Sequence, residues 1–122
     1  MAKTRLIPDE THPITVEPSA GQVRVRAGDT VVADTAKSLT LQEASYPPVA
    51  YVPLSAIDPA LLKPSDTETY CPYKGDASYY DLVTPEGVIK DAAWTYAEPY
   101  ESVADIAGHL AFYPDKVVIT VS

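Results

Sequence analysis

The residues best suited to chemistry lie in one stretch, TYCPYKGDASYY, which runs from Thr69 to Tyr80. It holds the only cysteine of the chain, a lysine and four of the nine tyrosines. These side chains offer a nucleophile, a positive charge that can bind anions, and rings that can form hydrogen bonds. The stretch is therefore either the lining of a chemical site or an aromatic core that includes a thiol.

Cys71 offers one thiol for redox or nucleophilic chemistry. A Cys-Pro-Tyr-Cys motif would supply two thiols, but Lys74 occupies the second position and no βαβ pattern surrounds the motif. One hypothesis is a single reactive thiol, because a lysine three residues away favours the thiolate. The alternative is a buried, inert side chain, since lone cysteines commonly behave as small hydrophobes. No catalytic residue is identified, and the candidates are Cys71 and Lys74.

Lys74 precedes Gly75 and Asp76 in a sequence typical of a tight turn. Because glycine permits a close approach of the backbone, a lysine beside it can face a pocket and hold an anionic group. The alternative is a solvated lysine that pairs with Asp76. The segment is not a phosphate-binding loop, because the G-x-x-x-x-G-K-[ST] spacing and the helix after it are missing.

Aromatic side chains are the second feature that suggests a pocket. Nine tyrosines against one phenylalanine favour a partly polar cavity, because buried hydroxyl groups need hydrogen-bond partners. The alternative is that the rings simply fill the core of a small β domain. The predicted ligand-binding residues are Tyr73, Lys74, Tyr80, Trp94 and Tyr113.

The net charge of −8, from 17 acidic and 9 basic residues, argues against a nucleic-acid partner. Nucleic-acid affinity depends on lysine and arginine side chains that neutralise phosphates, and the sequence has no basic stripe. No stretch approaches the ~18 apolar residues of a membrane span, so no membrane partner is expected. The start, MAKTRLIPDETHP, lacks the apolar core of a secretory signal, and we expect a cytoplasmic protein.

A metal site or another cofactor is not expected. One cysteine cannot build a paired-cysteine zinc site, and His12 and His109 lie far apart in sequence. Grouped aspartates for a two-metal reaction are also missing, and a solvated loop accounts for Asp66 and Glu68.

Alternating apolar residues predict a mainly β protein with a single domain over residues 1–122. Gly28-Asp29 predicts one hairpin, and TPEG between ASYYDLV and VIKDAAWTY predicts another. The proline-rich YPPVAYVP predicts a short or edge strand, and KVVITV predicts a strand buried on both faces. Residues 1–11 are expected to form a loosely ordered N-terminal arm.

One short helix is predicted near Val103–Leu110. Ser102 is suited to cap its N-terminus, and Asp105 lies near the positive end of its dipole. Apolar residues then follow at helical spacing.

Four segments carry a family resemblance in their order and spacing: HPITVEPSAGQVRVRAGDTVVADT, YPPVAYVP, TYCPYKGDASYYDL and AAWTYAEPYESVADIAGHLAFYPDKV. From about His12 to Val118 the chain resembles the domain of unknown function family 427, which is sometimes labelled nucleotidyltransferase-like. The resemblance implies a compact β domain of the Mss4-like, or β-tent, type, with two antiparallel sheets packed at an angle. Many proteins of that fold hold zinc between two Cys-x-x-Cys pairs, which this sequence does not contain.

The resemblance also marks a set of hallmark residues. They are Cys71, Pro72, Tyr73, Lys74, Gly75, Ala77, Tyr79, Tyr80, Trp94, Tyr96, Pro99 and Tyr113. The transferase label gains no support from these residues, because the phosphate loop and the paired aspartates are missing.

Three functions are compatible with the sequence. In the first, an enzyme of undefined reaction or a small binding domain holds a small anionic or polar ligand, with Lys74 on its anionic group and rings over its apolar part. The alternative is a structural or protein-interaction module whose aromatic side chains all belong to the core. The third, nucleotidyl or phosphoryl transfer, would require a divalent metal.

Overall fold

A computed structural model describes residues 4–122, and within them the chain forms ten β-strands. The strands are β1 (Ile14–Pro18), β2 (Val23–Ala27), β3 (Thr30–Thr35), β4 (Leu39–Glu43), β5 (Val49–Pro53), β6 (Leu62–Cys71), β7 (Gly75–Thr84), β8 (Gly87–Thr95), β9 (His109–Phe112) and β10 (Val118–Val121). Short 3-10 segments span Leu54–Ala56, Pro59–Leu61 and Glu101–Ile106.

The strands form two antiparallel sheets. Seven strands lie in the order β1-β4-β5-β9-β8-β7-β6, and three lie in the order β10-β2-β3. The prediction of a mainly β fold with two antiparallel sheets is confirmed.

The main hydrophobic cluster joins the two sheets. Val23 and Val25 alternate with exposed arginines along β2 and pack in one cluster with Leu82 and Leu110 of the larger sheet. The predicted hairpin between β2 and β3 is present, and Gly28 takes the left-handed φ of +57° that its turn requires. The smaller sheet therefore covers one face of the larger one.

The second predicted hairpin joins β7 and β8 and contains a bulge. Thr84 pairs with Gly87 around the turn, as expected, but the register shifts beside Asp81. The Asp81 carboxylate is buried, and it accepts hydrogen bonds from the Asp91 backbone N–H (2.8 Å) and from Lys90 Nζ (3.1 Å). These hydrogen bonds, with that of the Asp91 N–H the strongest, lower the pKa of Asp81.

A second hydrophobic cluster covers the other face of the larger sheet. It contains Leu41, Tyr51 and Ala111 from strands of that sheet. Val103 and Ile106 of the 3-10 segment pack over them and are buried. This face carries the candidate site described below.

The helix predicted near Val103–Leu110 differs from the structure in type and position. A 3-10 segment spans Glu101–Ile106 instead, and Val103 inside it has non-helical backbone angles. Ser102 lies within this segment rather than at its N-cap. Gly108 has a φ of +75°, a left-handed conformation that glycine adopts readily. Strand β9 begins at the next residue, where the predicted helix would have continued. No helix in the described part of the chain is long and apolar enough to cross a membrane.

One strand prediction needs correction. KVVITV was predicted to be buried on both faces, but β10 is an edge strand and Val118 is 53% exposed. Of the two alternatives predicted for YPPVAYVP, a short or an edge strand, the structure has the first: β5 is short and lies inside the larger sheet between β4 and β9. Pro47 and Pro48 precede β5 and Pro53 ends it, so the middle of the strand keeps its backbone donors.

The predicted N-terminal arm, residues 1–11, is described from Thr4, and its first three residues lie outside the described part. The Leu6 N–H donates to the Pro72 carbonyl oxygen (2.9 Å), and the Tyr70 hydroxyl donates to the Thr4 carbonyl oxygen (2.6 Å). The described start of the chain therefore contacts β6 and the turn after it. That the arm is loosely ordered stays a prediction.

We predict that Leu82→Ala lowers the free energy of unfolding by about 2–5 kcal/mol, because it leaves a cavity where the two sheets meet. Leu82 is 0% exposed. Val88→Ala on the neighbouring strand is the control, and it should change stability by about 0.5 kcal/mol or less because Val88 is 55% exposed. Urea denaturation measures both, and equal losses would show that the cluster does not hold the sheets together.

Candidate functional site

An ion pair between Glu43 and Lys74 spans the seven-stranded sheet. Glu43 ends β4, and Lys74 lies in the turn that leads into β7, with β5, β9 and β8 between those two strands. In a flat sheet β4 and β7 would be about 19 Å apart, because neighbouring strands are about 4.8 Å apart. Lys74 Nζ nevertheless lies 2.6 Å from Glu43 Oε1. The sheet therefore curves strongly toward the face that carries this pair.

A cleft of about 210 Å³ lies on this concave face. The ion pair forms part of its wall, and Leu41 and Val49 add apolar surface. Most of the remaining wall is aromatic. The aromatic lining consists of Tyr46, Tyr51, Tyr79, Trp94, Tyr96 and Tyr113.

The turn between β6 and β7 fixes the backbone of Lys74. Its N–H donates to the Cys71 carbonyl oxygen (3.2 Å), and its own carbonyl oxygen accepts from the Tyr100 N–H (3.0 Å). Gly75 has a φ of +111°, and a Cβ there would lie 3.5 Å from the Glu98 carbonyl oxygen. The glycine therefore serves the predicted role, because few other residues adopt this conformation.

Glu43 binds two partners at the edge of the cleft. One carboxylate oxygen accepts from Lys74, and the other lies 2.8 Å from His12 Nε2. The side chains of Lys74 and Glu43 are only 12% and 16% exposed. Desolvated charges of this kind are stable only when they are paired and hydrogen-bonded, which both are.

The electrostatics of the pair keep both groups charged. Burial raises the pKa of the Glu43 carboxyl, but hydrogen bonds from Lys74 and His12 outweigh burial and bring the pKa below its ordinary value. Burial acts to lower the pKa of the Lys74 ammonium, but Glu43 and the nearby Cys71 reverse this effect and leave the pKa raised. Lys74 is therefore a proton donor in this site rather than a free amine nucleophile.

His12 connects the ion pair to two further rings. Its imidazole stacks on Tyr73 with centroids 4.1 Å apart and planes within 7°. It also meets Tyr46 edge-on at 6.4 Å. His12 thus joins the chain before β1, the β4–β5 loop and the β6–β7 turn.

The aromatic wall is itself a connected network. Trp94 Nε1–H donates to the Tyr51 hydroxyl oxygen at 3.3 Å. The centroids of the Trp94 and Tyr113 rings are 4.6 Å apart. The Tyr113 hydroxyl donates to that of Tyr79 at 3.3 Å. Burial and the hydrogen bond to Tyr79 raise the pKa of Tyr113 to about 12, and burial raises the pKa of Tyr51 and Tyr96. The phenols therefore stay protonated near neutral pH.

The structure brings together only part of the predicted ligand-binding set. Lys74, Trp94 and Tyr113 line the one cleft. Tyr73 lies next to it, where it stacks on His12. Tyr80 packs against the main cluster on the opposite face, because successive residues of a strand point to opposite faces and Tyr79 lines the cleft.

Cys71 shows contacts that match both hypotheses for its thiol. Its sulfur lies 3.7 Å from Lys74 Nζ, the neighbour that a reactive thiol requires. The side chain is partly buried against the second cluster, as expected for an inert one, and it does not line the cleft. Its reactivity stays a prediction. Lys74 pairs with Glu43, not with Asp76, so the solvated-turn alternative for Lys74 is wrong.

Several cleft residues were missed at the level of sequence. Glu43 and His12 each lie far from Lys74 along the chain, and only the fold brings them to it. Tyr46 and Tyr51 lie within YPPVAYVP, whose prolines predict where a strand begins and ends but not where the tyrosine rings lie. Among residues 4–122, no three histidine, cysteine, aspartate or glutamate side chains are grouped so as to hold a metal ion.

We predict that Glu43→Gln destabilises the protein at pH 7 by about 1–3 kcal/mol, because the partly buried Lys74 ammonium loses a charged acceptor. The pKa of Glu43 is lower in the folded than in the unfolded state. Its contribution is therefore present above about pH 4.3 and is lost as the pH falls through the folded value. Urea denaturation of both proteins at pH 7 and pH 3 should show the stability difference shrinking at low pH.

Glu17→Gln on β1 provides the control, because Glu17 is exposed and lies outside the cleft. It should change stability little at either pH. A stability loss in Glu43→Gln that is the same at both pH values would contradict a role for the Glu43 charge.

Comparison with known proteins supplements this geometry. No curated protein matches the sequence. The family described as "Domain of unknown function (DUF427)" matches residues 15–122, which is nearly the whole chain. The protein therefore belongs to the DUF427 family.

Proposed function

We propose that the concave cleft binds a small molecule that carries a ring and a hydrogen-bond acceptor. The observation that carries this proposal is a set of proton donors that lack acceptors in the described chain. Lys74 Nζ donates to Glu43 and Cys71, and for its third proton the described residues offer only the face of the Tyr96 ring, whose centroid is 5.8 Å away. An acceptor on the ligand would complete its hydrogen bonds.

Two phenols add to this set. The Tyr51 oxygen accepts from Trp94, but its own proton has no acceptor among the described residues. Every fully buried side-chain nitrogen and oxygen in that part of the chain has a partner. The Tyr96 hydroxyl has no hydrogen-bond partner among the described residues, so it is not fully buried, and Tyr96 lines the cleft. Because these donors belong to residues that line the cleft, they favour a ligand with an acceptor such as a carbonyl or carboxylate group.

The remaining wall suits an apolar ring. Tyr79, Trp94 and Tyr113 surround the cleft with aromatic surface. Its volume of about 210 Å³ is below the ~300–1,000 Å³ of sites for drug-sized ligands, so a compact molecule fits. Since Glu43 already balances the charge of Lys74, the acceptor can be neutral or anionic.

A partly buried ion pair such as Glu43–Lys74 is better evidence for binding than for stability. Replacing such a pair with apolar side chains is often neutral or stabilising, so a fold does not require one. Perturbed ionisable groups cluster at functional sites. Phosphoryl transfer is not part of the proposal, because within residues 4–122 no three His, Cys, Asp or Glu side chains are grouped so as to hold the divalent metal that this reaction uses.

We predict that benzamide and benzoate bind the wild type and that Tyr51→Phe/Tyr96→Phe weakens the binding about 5- to 150-fold. Two hydrogen bonds of about 0.5–1.5 kcal/mol each account for this loss. Isothermal titration calorimetry measures the affinities. The ratio between benzamide and benzoate shows whether the acceptor is neutral or anionic.

Tyr80→Phe is the matched control, because it removes a phenol from the opposite face and should leave binding unchanged. Thermal denaturation of all variants checks that they are folded. If neither compound binds the wild type, the aromatic residues act as core or as a protein-interaction surface and the proposal is wrong.

A further inference from the structure

We propose that the ligand site continues beyond the cleft into a second depression that takes a polyhydroxylated, uncharged group. This outer depression has a volume of about 400 Å³ and shares Tyr79 and Tyr113 with the cleft. Its other lining residues are Thr67, Thr69, Asp91, Asp115 and Lys116. The inference deepens the proposed function and rests on it.

The two shared tyrosines form the boundary between cleft and depression. Their rings are nearly parallel, with planes within 12° and centroids 6.4 Å apart. Their hydroxyls are linked, and the Tyr79 hydroxyl also lies 3.0 Å from Thr69 Oγ1. A molecule seated in the cleft can therefore extend across these rings to a row of hydroxyl groups.

The outer depression is rich in hydrogen-bond acceptors. Asp91 accepts from the Ser65 and Thr67 hydroxyls, which holds its carboxylate in place. The exposed Asp115 carboxylate has no partner among residues 4–122. A ligand hydroxyl is the natural donor to these oxygens, because a hydroxyl group both donates and accepts.

The charge of the outer depression argues against a phosphate. Asp91 and Asp115 outnumber its single cation, Lys116. Lys116 Nζ is already engaged, since it donates to the carbonyl oxygens of Lys90 (2.9 Å) and Asp91 (3.3 Å). It also lies 5.3 Å from the Tyr113 ring centroid. Like charges repel, so the preferred ligand is a glycoside or nucleoside rather than its phosphate ester.

The test compares 4-hydroxybenzamide with its β-D-glucoside and its phosphate ester by isothermal titration calorimetry. We expect the glucoside to bind the wild type about 10-fold more tightly than 4-hydroxybenzamide, since one or two added hydrogen bonds suffice for this factor. The phosphate ester should bind no more tightly than 4-hydroxybenzamide.

Two variants test whether the higher affinity for the glucoside comes from the outer depression. Asp115→Ala and Thr69→Val should each reduce the glucoside advantage, and Asp115→Ala should leave the affinity for 4-hydroxybenzamide unchanged because Asp115 does not line the cleft. Asp105→Ala is the control, because it removes an exposed carboxylate from the 3-10 segment Glu101–Ile106.

The possible results separate this inference from the proposed function. If 4-hydroxybenzamide binds but the glucoside binds no more tightly, the outer depression is not a subsite and the proposed function stands. An advantage that survives in both Asp115→Ala and Thr69→Val also overturns the inference. If no compound binds, the proposed function and this inference are both wrong.

Discussion

The structure depends on one constraint, the curvature that lets Glu43 reach Lys74 across the larger sheet. The two residues belong to strands separated by three others, and they meet at 2.6 Å. This contact accompanies a concave face that a flat sheet would not have. Cleft, aromatic wall and ion pair are consequences of one bend. The three-stranded sheet packs against the other face, and the cleft lies on the concave face, part of which the 3-10 segment Glu101–Ile106 covers.

The chemistry of the cleft follows from how its polar groups are partnered. Glu43 is held by Lys74 and His12, so its acceptor capacity is largely used within the protein. Lys74, Tyr51 and Tyr96 keep donors that the described residues do not satisfy. A site with spare donors and occupied acceptors selects a ligand through its acceptor group. The surrounding rings then favour a molecule whose remaining surface is apolar.

Local chemistry allowed much of the fold to be predicted from the sequence. The turns at Gly28 and at TPEG depend on glycine and proline, and both hairpins form where these residues predict them. The site was harder to predict from the sequence, because Glu43 and Lys74 are far apart along the chain and only long-range packing brings them together. Tyr79 and Tyr80 are neighbouring residues of the same type, and only the orientation of β7 in the fold decides which of the two rings lines the cleft. The prediction of a helix near Val103–Leu110 was wrong for a similar reason. Tertiary packing gives a 3-10 segment and a strand in this part of the chain instead.

The most direct measurement of the central claim is the fluorescence of Trp94 during a titration with benzamide. Trp94 is the only tryptophan of the chain and lies in the wall of the cleft, so its emission reports on this site alone. We expect a saturable change in the emission of the wild type, with a midpoint that matches the calorimetric affinity, and the same change in Tyr51→Phe/Tyr96→Phe should require far more benzamide. An emission that does not change in the wild type, or that changes equally in both proteins, would contradict the account.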